Sequence, residues 1–169
     1  LPVIMSTGGA TMNEVEDASM VFHEAGAGER LAVLHCLSVY PCPETIVNLR
    51  AIARMREMMG WTFCEAAAYG FSDHTLSVDV VPALAVACGA SLIEKHIRLE
   101  DDSTSIDAAH SLTPAQFAQM VQVLRQVPAM LGSGIKEPHT LERHDVLWAR
   151  RSHEDWLRPT QAAREGAWQ

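Results

Sequence analysis

The sequence has no CxxC pair among its four cysteines, no long apolar run and no excess of positive charge. Each absence closes a class of function. Cys36, Cys42, Cys64 and Cys88 are scattered, three of them in apolar or strand-like stretches. They read as reduced structural thiols of a cytoplasmic protein, not as a disulfide framework. The longest apolar stretch, VVPALAVACGASLI at 80–93, is too short and too interrupted by Gly and Pro to span a bilayer. No signal peptide is visible, and the first residue is Leu1, so a natural start further upstream is expected. The formal charge of −8 argues against non-specific nucleic-acid binding, which needs a basic surface. A small anionic ligand is not excluded, because helix N-termini, local lysines or a metal can hold one.

What is present is a globular composition: 48% hydrophobic and 20% charged residues over 169 positions, enough for one domain with a core. LPVIMSTGG (1–9) reads as an apolar strand running into a Ser-Thr-Gly-Gly turn. A helix follows over about 11–25, with Thr11 and Glu14 at capping-box spacing. RLAVLHCL (30–37) is a second strand, followed by a Pro-rich loop and a helix over about 47–59 that Gly60 should end. YGFSDH (69–74) is a third strand, with a helix over about 78–88, and SLIEKHI (91–97) a fourth. An acidic loop leads to a helix over 113–131, with Thr113 as N-cap and Pro114 in its first turn.

Four strand–helix pairs in succession define an α/β fold with a parallel sheet covered by helices. Two architectures compete: an open doubly wound sheet, or part of a (β/α)8 barrel. Polar groups follow the C-terminal end of every strand: Ser6-Thr7-Gly8, Ser38 to Tyr40, Ser72 to Thr75, and His96 onward. Four such ends favour the barrel, whose loops converge on one centre. After Gly132 the chain turns polar, Arg-rich and weakly periodic, as a linker and the start of something unfinished would.

Side chains alternate along a strand, so Ser72 and His74 share one face, as do Glu94 and His96. Parallel neighbours lie about 4.8 Å apart, so His74 and His96 can meet one ion at about 2.1 Å each, with sites left for substrate oxygens. Such a site suits Mn2+, Co2+, Fe2+ or Zn2+ acting as a Lewis acid on a carbonyl. Spacing alone leaves equally open that both are hydrogen-bonded strand-end histidines with no metal. Glu94 can support the site from the barrel interior, whereas Lys95 points the other way and reads as a structural charge. His35 reads as a packed core residue, and His23, His139, His144 and His153 as surface residues. His110 is harder to dismiss, because it follows the last strand. STGG is a weak phosphate or carboxylate cradle, and Asp107 either accepts hydrogen bonds from a polyol or is one more solvated loop acid.

PVIMSTGGAT, LHCLSVYPCP, VNLRAI, GFSDHTL, GASLIEKH and SLTPAQF, in that order, resemble the N-acetylneuraminate (sialic acid) synthase family. The resemblance runs from Leu1 to about Leu131, and GSGIKEP with ARRS is similar to the family's linker. It implies that 1–131 form the C-terminal half of a TIM barrel, 132–150 a linker, and 151–169 a truncated start of an antifreeze-like domain. The implied reaction condenses phosphoenolpyruvate with an N-acetylated amino sugar, N-acetylmannosamine-like, to give a nonulosonic acid and phosphate. Pseudaminic or legionaminic acid synthesis is the near alternative, and a non-catalytic metal- or sugar-binding half-barrel the distant one. By position, His74 and His96 would be ligands of Mn2+, with Co2+ or Mg2+ as substitutes. Ser6, Ser38 and Ser72 would bind phosphoenolpyruvate, and Tyr40 and Asp107 the amino sugar. Family membership also implies a cytoplasmic homodimer when full length.

Three departures stand out: STGG where STGM is usual, a longer approach to the third strand through FCEAAA, and DAAHS in place of Asp-His-x-x-Ser, which moves a histidine to His110. The resemblance begins at the barrel's fifth strand, so the main phosphate-binding lysine and the acidic catalytic residue would belong to an absent first half. The isolated chain is therefore expected to be marginal, aggregation-prone or dimerising, and unable to turn over alone.

Overall fold

A computed structural model of the 169-residue chain describes residues 1–61, 66–100, 104–142, 146, 148–151, 156 and 158–166. Cys64, His144, His153 and part of the FCEAAA stretch fall outside the described residues. The chain divides into two units, Leu1–Leu131 and Gly132–Gln169.

The first unit is built on four parallel strands: β1 (Val3–Ser6), β2 (Leu31–Cys36), β3 (Ala68–Asp73) and β4 (Leu92–Lys95). They lie side by side in sequence order, with Ser6 opposite Leu34, Cys36 opposite Ser72, and Ser72 opposite Glu94. A doubly wound sheet reverses its strand order at a switch point. This sheet has no reversal, so the two architectures left open by the sequence resolve toward the barrel.

The helices are α1 (Met12–Glu24), α2 (Arg50–Trp61), α3 (Val80–Ala87), α4 (Pro114–Leu124) and α5 (Val127–Leu131). Leu31, Val33, Tyr69 and Phe71 on the sheet form the core with Val15 of α1, Ile52, Met55 and Met59 of α2, and Val81 and Ala85 of α3. Every residue of β2 is buried, as a continuous apolar strand inside a parallel sheet should be. β1 is different: Ile4, on the face turned from the helices, is 60% exposed.

Local signals explain most element ends. The capping box forms at α1, where Thr11 N donates to Glu14 Oε2 at 2.7 Å and Glu14 N to Thr11 Oγ1 at 3.5 Å. Thr113 and Gln116 form a second capping box at α4. Two expectations need correction. Gly60 does not end α2, which continues to Trp61. The single helix expected over 113–131 is two, because Pro128 has no N–H and its ring collides with the carbonyl of Leu124, where α4 stops. Gly9 takes a left-handed φ of 76° in the turn after β1, a conformation a side chain would strain.

In the second unit, the described residues include a 3₁₀ turn at Thr140–Glu142 and a short helix at Gln161–Arg164. Among the described residues, no helix is long and apolar enough to cross a membrane.

Candidate metal centre

The site grows from alternation at the ends of β3 and β4. Asp73 and Lys95 are register partners on the helix side of the sheet, and their side chains are fully buried. Lys95 Nζ donates to Asp73 Oδ2 at 2.9 Å and to the Thr75 carbonyl at 2.5 Å, while Asp73 Oδ1 accepts from Thr75 N at 2.8 Å. One buried cation thus ties β4 to the turn that carries His74. This is the structural role that the alternation assigned to Lys95.

His74 follows directly after β3 and is buried. Its Nδ1 lies 2.8 Å from the Leu37 carbonyl. A carbonyl can only accept, so Nδ1 carries a hydrogen and Nε2 is the ring nitrogen left for a ligand. The His74 carbonyl in turn accepts from Cys42 N at 2.8 Å, which holds the loop after β2 against the end of β3. That loop brings Tyr40, whose ring centroid is 4.1 Å from His74, 5.1 Å from His110 and 6.2 Å from His96.

His96 follows β4, and its carbonyl accepts from Leu112 N at 2.9 Å, drawing in the segment after the loop. Asp107 and His110 arrive on one 3₁₀ turn, Ala108–His110 with Asp107 as its cap, secured by Ser111 Oγ donating to the Asp107 carbonyl at 2.6 Å. The imidazole centroids are 5.3 Å apart for His74 and His96, 4.7 Å for His96 and His110, and 6.1 Å for His74 and His110. The carboxylate of Asp107 stands between two of them, with Oδ2 3.4 Å from His96 Nδ1 and Oδ1 3.5 Å from His110 Nε2.

Among the described residues, His96, Asp107 and His110 form a group whose ligand-capable atoms all lie within 4.8 Å of one another. His110 Nε2 is buried without a hydrogen-bond partner. Burial first, then the neighbouring His96, pushes the His110 pKa down against the opposing pull of Asp107, which keeps that imidazole neutral. Imidazoles beside a carboxylate, one of them with an orphaned nitrogen, are a donor set that fits a divalent transition-metal ion.

Of the residues singled out in the sequence, the structure gathers Tyr40, His74, His96 and Asp107 into one cluster. Ser72 is buried next to it and donates to Glu94 Oε1 at 2.7 Å; Glu94 itself is exposed. Ser6 ends β1, exposed, and Ser38 follows β2, where a side chain at Gly8 would run into its hydroxyl. Gly8 therefore lets the turns after β1 and β2 approach closely. His35 is a core residue, bonded through Nε2 to the Val47 carbonyl at 2.8 Å and stacked on Phe71. His23 and His139 are exposed. His110 is the cluster member the sequence left unassigned. The sequence singled it out only by its place in the loop after the last strand and as the histidine displaced in DAAHS.

A half-sheet with this cluster at its strand ends defines an α/β barrel segment with a metal-capable centre. The NeuB family model matches residues 1–136, and the chain belongs to that family. It is 33% identical over 151 residues to the N,N'-diacetyllegionaminic acid synthase of Campylobacter jejuni, covering 89% of this chain and 43% of that protein. It is 34% identical over 146 residues to the pseudaminic acid synthase of Helicobacter pylori, covering 84% and 40%. Among solved structures, the N-acetylneuraminic acid synthetase of Leptospira borgpetersenii, crystallised with citrate, superposes with a TM-score of 0.73 at 33% identity, over 86% of this chain and 48% of that one. The four parallel strands match part of a TIM barrel, and the chain spans less than half the length of these relatives.

Proposed function

We propose that the chain is the metal-bearing second half of the (β/α)8 barrel of a nonulosonic acid synthase, which condenses phosphoenolpyruvate with an N-acetylated amino sugar. The observation that carries this reading is the convergence of His74, His96, Tyr40 and Asp107 at adjacent strand ends, in a family whose named relatives make such acids. His74 and His96 would hold Mn2+, with Co2+ or Mg2+ as substitutes. The ion would supply Lewis acidity to the aldehyde oxygen of the open-chain sugar.

The chain's own groups do the rest of the positioning. The Leu37 carbonyl orients the His74 ring through Nδ1–H, so Nε2 is the nitrogen offered to the site. Ser6 and Ser38 would donate hydroxyl hydrogens to the phosphate and carboxylate of phosphoenolpyruvate, and Ser72 would join them on turning its hydroxyl from Glu94. Tyr40 would wall the sugar, and Asp107 would accept from its hydroxyls. C3 of phosphoenolpyruvate forms the new C–C bond with the aldehyde carbon, water adds at C2, and phosphate leaves by C–O cleavage. The anion-binding lysine and the acid–base residue would come from the first half of the barrel. Residues 132–150 would serve as the linker and 151–169 as the start of an antifreeze-like domain, in a homodimeric, cytoplasmic enzyme.

The named relatives favour one variant of this reading, in which the product is legionaminic or pseudaminic acid. Joining residues 1–131 to the N-terminal half-barrel of the Campylobacter jejuni synthase tests both. With phosphoenolpyruvate and a panel of N-acetylated hexoses, phosphate release and product mass should reveal one preferred sugar. A chimera that melts cooperatively yet releases no phosphate with any sugar would leave only the non-catalytic half-barrel.

A further inference from the structure

The family reading accounts for two imidazoles, and the structure holds three. His110 is 4% exposed, and its Nε2 has no hydrogen-bond partner. Asp107 Oδ1 stands 3.5 Å from it, beyond the usual range of about 2.7–3.2 Å for such a bond. A buried polar atom left unpaired is destabilising, so native structures rarely keep one without a reason. The nitrogen sits in the one described group of three ligand-capable side chains, with His96 and Asp107.

We propose that His110 is a third imidazole ligand of the metal centre, joining His96 and the Asp107 carboxylate around the same ion. The proposal rests on the metal reading of His74 and His96 above. Two atoms each about 2.1 Å from one ion can be up to about 4.2 Å apart, so the spread of up to 4.8 Å among His96, Asp107 and His110 needs to close by well under an ångström, and His74, which stands outside that group, has further to come. Three imidazoles and one carboxylate make a nitrogen-rich donor set that suits Mn2+, Fe2+ and Co2+ and binds Mg2+ poorly. The same contact would draw Asp107 toward the ion and away from the sugar, so the carboxylate would act on the substrate through the metal site.

The test is Mn2+ binding by the 169-residue chain, read from the free-ion electron paramagnetic resonance signal, for the wild type and for His74→Gln, His96→Gln and His110→Gln. His110→Gln should weaken binding by about tenfold or more, as His96→Gln does. Affinity within twofold of wild type would overturn the proposal while leaving the two-histidine reading intact. Unchanged affinity in His74→Gln and His96→Gln would remove that reading itself, as would a wild type that binds no Mn2+ at millimolar concentration. Because His110→Gln can fail to fold, electron spin-echo modulation of the Mn2+-loaded wild type gives an independent count. Three coupled imidazole nitrogens support the proposal, and two overturn it.

Discussion

Lys95 shows how one side chain can hold a site it does not enter. It is buried against Asp73 and caps the turn carrying His74. Lys95→Met should lower stability by about 3–5 kcal/mol, because it leaves the Asp73 carboxylate buried and unpaired. Asp73→Asn together with Lys95→Met should recover much of that loss; urea unfolding of the two variants measures both. His35 carries a pH effect. Its burial depresses the imidazole pKa below the usual 6.5, with the Val47 carbonyl opposing. The unfolded chain therefore takes up protons first on acidification, so stability is fully present above about pH 6.5 and is lost as pH falls below it. The melting temperature should drop across that range, and His35→Gln should flatten the drop in a thermal scan. These roles were partly legible. Alternation separated Ser72 and His74 from Asp73 and Lys95, but the partner of His110 depends on a loop whose path no periodicity sets.

At the scale of elements, the sheet admits no side chain at Gly70. A Cβ there would lie 2.5 Å from both Leu34 Cδ2 and the Leu92 carbonyl oxygen, and the latter is backbone that cannot step aside. Gly70→Ala should cost about 1–3 kcal/mol and push β4 from β3, moving His96 relative to His74. Denaturant midpoints would show the loss, and an unchanged midpoint would show that β4 shifts freely. Strand and helix order was readable because β2 is a continuous apolar run, Thr11 with Glu14 spelled out the capping box of α1, and Thr113 marked the N-cap of α4. The break at Pro128 was missed because a continuous apolar stripe outweighed a proline's local effect. Helix α2 passed through Gly60 for the converse reason, since glycine permits a stop without requiring one.

At the scale of the whole molecule, four parallel strands leave two edges, and the face turned from the helices carries Ile4 at 60% exposure and Leu92 at 37%. Unpaired edges with apolar neighbours recruit further strands. Sedimentation should therefore give a mass above 18.5 kDa that rises with concentration, whereas a constant 18.5 kDa species would show that the edges are inert. The family and its half-barrel were legible because ordered motifs end each strand. The meeting of Tyr40, His74 and His96 beyond the ends of β2, β3 and β4 was legible only as an implication of the barrel, and the third imidazole was not. Crystals of the chain soaked in Mn2+ test the metal-centred site most directly, through an anomalous difference map. A single peak bonded to both His74 and His96 at the ends of β3 and β4 is expected. A map with no peak there, while the rings keep the arrangement described, would contradict it.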